Sequence, residues 1–244
     1  MQRRCFSLLL ILFCLPVFAE EPAKTVKATT PEVQTAAWAQ KWWMPRHKQK
    51  LADLKEQRQV DLLWIGDSIT HGWENSGKRI WQQYYASRNA FNIGFSGDRT
   101  ENVLWRLENG AVEGISPKLA ILMIGTNNTG HRQDPAEQTA AGVQAIIKQL
   151  RERLPKTKVL VLAVFPRGAK PEDKLRKLND QINRILATYA DDKHVFYQDL
   201  SGTFLQDDGV LPKSIMPDLL HPNEKGYELW AEAIEPNMKK LMGE

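Results

Sequence analysis

Five short apolar runs, each followed by a helical pattern, constrain what this chain can fold into more than any other feature. The runs at 60–65, 90–93, 119–124, 158–165 and 194–197 are dense in Val, Ile, Leu and Phe, and four of them stop at a breaker: Gly66, Gly94, Gly125 or Pro166. Short bulky runs that end at a breaker read as buried strands. The stretches that follow, 79–87, 100–107, 134–154, 172–190 and 223–241, carry apolar residues on helical spacing, as in Leu175, Leu178, Ile182, Ile185 and Leu186. Asp134-Pro135 reads as the cap and first-turn proline of the third of these helices. Strict alternation of this kind predicts one parallel sheet with right-handed crossovers and helices on both faces.

The organisation around that unit follows from composition. Arg3 and Arg4 precede an apolar run from Phe6 to Phe18, and Val17-Phe18-Ala19 offers a small residue before Glu20. This is the layout of a secretory signal peptide over 1–19, too short to span a membrane comfortably. Cleavage after Ala19 predicts a secreted or periplasmic protein with no stable membrane insertion. It also removes Cys5 and Cys14, the chain's two cysteines, so the mature fold rests on packing without disulfides. Residues 20–36, polar and carrying Pro22 and Pro31, read as a flexible leader. A single domain is expected over 37–244, opening with a Trp-rich helical segment at 37–58 that Pro45 starts or splits. Loss of Arg3 and Arg4 lowers the formal charge from +4 to about +2, too weak a field to argue for nucleic acid.

In a parallel sheet the carboxyl ends of the strands lie on one edge, where ligands bind. Three of these ends carry polar sets: Gly66-Asp67-Ser68, Phe95-Ser96-Gly97-Asp98 and Gly125-Thr126-Asn127-Asn128. A fourth piece, Asp218-Leu219-Leu220-His221, stands just before the last helix. Taken singly, each is equally a turn or a helix cap. Together they supply what acyl transfer needs. A serine hydroxyl attacks only when a base takes its proton, and His221 can do that. The other imidazole nitrogen needs an acceptor, and Asp218 can curl back to it within one turn. The oxyanion then needs donors: the Ser68 N–H at a helix start, the Gly97 N–H and the Asn127 side-chain amide. Asp67 is left to brace the Ser68 loop by accepting from backbone N–H groups. His71, with no carboxylate to orient it, reads as loop or pocket wall.

Other chemistries find less support. There is no Gly-x-Ser-x-Gly elbow, no Walker loop, no Gly-x-Gly-x-x-Gly after a strand, and the five histidines lack metal-ligand spacing.

These residues resemble the SGNH hydrolase (GDSL esterase/lipase) family over roughly residues 60–240. The blocks are Gly66-Asp67-Ser68, Gly97, Asn127 and Asp218-x-x-His221. Within the family, the run Gly97-Asp98-Arg99-Thr100-Glu101-Asn102-Val103-Leu104-Trp105-Arg106-Leu107-Glu108-Asn109-Gly110 is similar to that of the catalytic α-subunits of intracellular platelet-activating-factor acetylhydrolase. So are Gly125-Thr126-Asn127-Asn128 and Phe165-Pro166-Arg167-Gly168. The resemblance implies a flavodoxin-like three-layer α/β/α sandwich with a five-stranded parallel sheet. It also implies an acyl-enzyme on Ser68, water activated by His221, and no metal or organic cofactor. The family's leucine after the serine is Ile69 here. The α-subunits named are cytosolic, whereas an export signal opens this chain, which shifts the expected substrate toward a small ester or an acetylated carbohydrate. Dimerisation through Trp105-Arg106-Leu107 is a further expectation of the same likeness. The competing readings are a lysophospholipase or thioesterase with longer acyl preference, and a catalytically silent carbohydrate-binding module.

Overall fold

The computed structural model describes residues 26–57 and 59–244. The export signal expected over 1–19 lies outside the described residues.

The five apolar runs form one parallel sheet of β1 (Leu62–Gly66), β2 (Ala90–Gly94), β3 (Leu119–Met123), β4 (Lys158–Leu162) and β5 (Val195–Gln198), in the order β2-β1-β3-β4-β5. Successive side chains on a strand point to opposite faces, and here both faces are covered. Leu63, Ile65, Ala120, Leu122, Val159 and Val161 pack on one side against α1 (Trp43–Gln57), α4 (Thr100–Glu108), α5 (Ala136–Arg153) and α6 (Lys174–Leu186). Leu62, Trp64, Leu119, Ile121, Met123, Leu160 and Leu162 pack on the other, with α2 (Ser68–His71), α3 (Lys78–Tyr84), α7 (Ser201–Phe204) and α8 (Glu224–Met242). Burial on both faces is why these strands are continuous apolar runs and not alternating ones. The result is the three-layer α/β/α sandwich the sequence predicts.

The chain runs from β1 outward to β2 and then returns to the other side of β1 as β3. That reversal opens a crevice at the carboxyl ends of β1 and β3. Ser68 follows β1, Gly97 follows β2 and Asn127 follows β3, so the topology alone gathers three of the expected residues.

Two expectations need correction. The leader reading of 20–36 fails for its described part, because residues 26–36 are tied to the domain. Ala28 is buried and its carbonyl accepts from Thr100 Oγ1 at 2.8 Å; Gln34 is buried beside Gly97. Composition reported a polar stretch, but those polar groups meet specific partners. The cap of α5 is Pro135, with no side-chain cap bond. Asp134 is withdrawn from that role by its pair with Arg132 and by accepting from Asn128 Nδ2 at 3.1 Å. In the Trp105-Arg106-Leu107 segment, Arg106 and Leu107 are each 1% exposed, while Trp105 is partly buried against the same core.

Candidate active site

Ser68 is the first residue of α2, a single helical turn too short to show in hydrophobic periodicity. Two glycine-dependent contacts seat it. A Cβ on Gly66 would lie 2.2 Å from Thr70 Oγ1 and 2.5 Å from the Met123 carbonyl, so only glycine lets the turn settle onto β1 and β3. From the far side, Tyr227 Oη of α8 donates to the Ile69 carbonyl at 2.7 Å. Asp67 caps the turn, its Oδ1 accepting from Ile69 N at 3.0 Å.

Ser68 Oγ lies 2.8 Å from His221 Nε2. His221 Nδ1 lies 2.6 Å from Asp218 Oδ2, while Asp218 Oδ1 accepts from the N–H groups of Leu220 at 3.0 Å and His221 at 2.7 Å. Burial tends to raise the Asp218 pKa, but the bonds and charge of His221 outweigh it and hold the carboxyl below its ordinary range. A charged carboxylate at Nδ1 assigns the proton to that nitrogen and leaves Nε2 free to accept from the serine. The reversed backbone at Leu219 (φ 60°) makes the tight return from Asp218 to His221. Asn223 then fixes the loop to α8, accepting from Gly226 N at 3.0 Å and donating to the Ser214 carbonyl at 2.8 Å.

The second loop sits beside this relay. Gly97 has φ +75°, a conformation glycine adopts without strain. Neither its N–H nor that of Ser68 donates to an acceptor among the described residues. Asn127 is 5% exposed and spends one amide N–H on the Asp98 carbonyl at 3.0 Å. The other remains, and the bond used holds block three against block two. Asn128 repeats the stitch by accepting from Thr100 N at 3.1 Å.

Under the loops lie two buried carboxylates. Burial raises Asp67 to about 7, opposed by its Ile69 bond and by the charge of His221. Burial raises Asp98 to about 6, against the pull of Arg106 and Trp43, whose nitrogens lie 2.9 and 2.6 Å from its oxygens. Arg106 also donates to the Ile93 carbonyl at 3.0 Å, so it anchors the second loop to β2 from below. The Nδ1 of His71 meets Ser96 Oγ at 2.9 Å, and Glu74 Oε2 lies 3.9 Å from its Nε2, a carboxylate the sequence reading did not give it.

Sequence reasoning missed the N-terminal contribution. Gln34 Nε2 donates to the Gly97 carbonyl at 3.1 Å, and Trp38 lies against the Gly97 Cα. Arg167, noticed only within a family-like string, donates to the Thr126 carbonyl at 2.8 Å and holds its charge near both Asp67 and Asp218. Among the described residues no group of three or more His, Cys, Asp or Glu could hold a metal ion, and no helix is long and apolar enough to cross a membrane.

Comparison with known proteins gives the family and the fold. Residues 64–229 match the model of the GDSL-like lipase/acylhydrolase family. The chain is 35% identical over 203 residues to platelet-activating factor acetylhydrolase IB subunit alpha1 of Homo sapiens, covering 83% of this chain and 85% of that protein. Among solved structures, a GDSL-like lipase from Bacteroides thetaiotaomicron is similar at a TM-score of 0.61 and 20% identity, over 80% of this chain and 97% of that one. A catalytic mutant of an acetylxylan esterase from Geobacillus stearothermophilus is similar at a TM-score of 0.59 and 19% identity, over 75% and 93%. The two structural likenesses speak to the fold.

Proposed function

The chain belongs to the GDSL-like lipase/acylhydrolase family of ester-hydrolysing enzymes, and on that premise we propose that it is an exported serine esterase that removes short acyl groups, acetyl first, from carbohydrate hydroxyls. The relay from Ser68 through His221 to Asp218, at 2.8 and 2.6 Å, carries the catalytic part of this reading.

In the first half-reaction Ser68 Oγ attacks the ester carbonyl carbon as its proton passes to His221 Nε2. Asp218 steadies the imidazolium through Nδ1. The carbonyl oxygen becomes an oxyanion and accepts from Ser68 N–H, Gly97 N–H and the free N–H of Asn127. Such donors stabilise the transition state by about 3 kcal/mol apiece. Collapse breaks the bond to the alcohol oxygen, which takes the proton from His221 and leaves. Water then enters, gives a proton to His221 and attacks the acyl-serine. The second collapse returns the proton to Ser68 Oγ and releases the carboxylic acid.

Two features support the substrate class. The pattern over 1–19 reads as an export signal, which supports a substrate outside the cytosol. The fold is shared with an acetylxylan esterase, an enzyme of acetyl esters on a carbohydrate. The test is an ester panel that varies acyl length at constant alcohol, and alcohol (sugar, glycerophospholipid, aryl) at constant acetyl. The reading expects rates that fall from acetyl to octanoyl and acetylated sugars among the better substrates. Rates rising with chain length, or with a lysophospholipid, would replace it with the lipase-like alternative.

A further inference from the structure

Trp38 is 51% exposed, the one large hydrophobic side chain left so open among the described residues. It stands at the site and not on a remote face. The edge of its indole rests on the Gly97 Cα, so closely that a Cβ there would lie 2.0 Å from Trp38 Cη2. Trp42 stacks beside it with ring centroids 6.1 Å apart and planes 27° from parallel, and donates from Nε1 to the Trp38 carbonyl at 3.1 Å. Trp42 in turn lies 6.1 Å from the imidazole of His71, the last residue of the turn that begins with Ser68. The three rings form a shelf whose two ends are anchored on the oxyanion loop and on the nucleophile's own helix.

We propose that the Trp38–Trp42 shelf is the subsite for the pyranose ring of the substrate's alcohol, and that Trp38 sets the preference for acetylated sugars. This rests on the esterase reading above and names the residue behind its substrate class. A carbonyl held at Ser68 and Gly97 places its substituents within reach of a ring lying on Gly97. A pyranose presents a face of C–H bonds that suits the negative face of an indole, while its rim of hydroxyls stays in water. A half-exposed indole matches that division; a closed acyl pocket would bury it. His71, at the far end, is held neutral near physiological pH, lowered to about 4 by burial first and the Arg46 charge second.

The experiment compares kcat/KM for an acetylated methyl xylopyranoside with that for ethyl acetate, which has no ring to stack. Trp38→Phe keeps a flat ring, and Trp38→Leu keeps apolar bulk against Gly97 without one. The sugar-to-ethyl-acetate ratio falls about tenfold in Trp38→Leu, through KM, and stays within about twofold of wild type in Trp38→Phe. Equal losses on both esters in Trp38→Leu would make Trp38 a support of the Gly97 loop and overturn the subsite alone. A wild type that cleaves ethyl acetate but no acetylated sugar would overturn the carbohydrate reading and the subsite together.

Discussion

Gln34 Nε2 donates to the carbonyl of Gly97 at 3.1 Å, across a separation of 63 residues. The same amide reaches Asn102 Oδ1 at 3.4 Å, and Asn102 Nδ2 donates to the Glu32 carbonyl at 2.9 Å. The N-terminal segment is therefore buckled onto the loop that carries Gly97, the proposed oxyanion donor. Gln34→Ala leaves the Gly97 carbonyl without its buried partner, a loss worth about 1–3 kcal/mol. It is expected to lower kcat about tenfold or more with little change in KM, since Gln34 positions the loop and touches no substrate. Steady-state kinetics separate the two terms. A change confined to KM would contradict the positioning role.

Asn127→Asp is nearly isosteric but replaces the amide donor with an acceptor. It both removes a donor to the oxyanion and breaks the bond to the Asp98 carbonyl. A fall in kcat of about 10²–10³ is expected. Circular dichroism and the melting temperature check that the fold survives. A folded variant with near-normal kcat would remove Asn127 from the oxyanion hole.

Arg106→Met strips the guanidinium from a pair whose partners, Arg106 and Asp98, are 1% and 0% exposed. Leaving a buried carboxylate uncompensated costs about 3–5 kcal/mol. Denaturant titration at pH 8 is expected to show that loss, and a smaller one at pH 5, where Asp98 can take up a proton. Equal losses at both pH values would mean that packing of the guanidinium over Phe95, 4.2 Å from the ring centroid, is what matters.

Asp67 predicts the opposite pH trend for a different variant. In the fold it keeps its proton to about 7 because burial penalises the charge. The unfolded chain releases that proton near the ordinary carboxylate value. Between those limits the unfolded state binds fewer protons, so this group's contribution to stability falls as pH rises toward 7. Asp67→Asn retains an oxygen to accept from Ile69 N and carries no charge. Its stability relative to wild type is expected to rise by about 2 kcal/mol from pH 5 to pH 8. A pH-independent difference would place an ionised Asp67 in the fold at both ends.

The parallel sheet, the order of its helices and the gathering of Ser68, Gly97, Asn127 and His221 were legible because each rests on local pattern. A bulky run that ends at Gly66, Gly94 or Gly125 declares a strand and its carboxyl end, and the sheet does the rest. What escaped depends on distant side chains. The polar composition around Gln34 gives no hint that its amide meets Gly97. Asp134 looks like a helix cap until Arg132 takes its carboxylate, and α2 is a single turn with no period to read.

The central claim is that Ser68 becomes acylated through His221 and Asp218. Mixing the enzyme with excess p-nitrophenyl acetate, quenching within the first turnover and mapping the digest by mass spectrometry tests it directly. The account predicts one acetyl group on the peptide carrying Ser68, formed far more slowly in His221→Ala and absent in Ser68→Ala. Hydrolysis that continues in Ser68→Ala, or an acetyl group mapped to another residue, would contradict it.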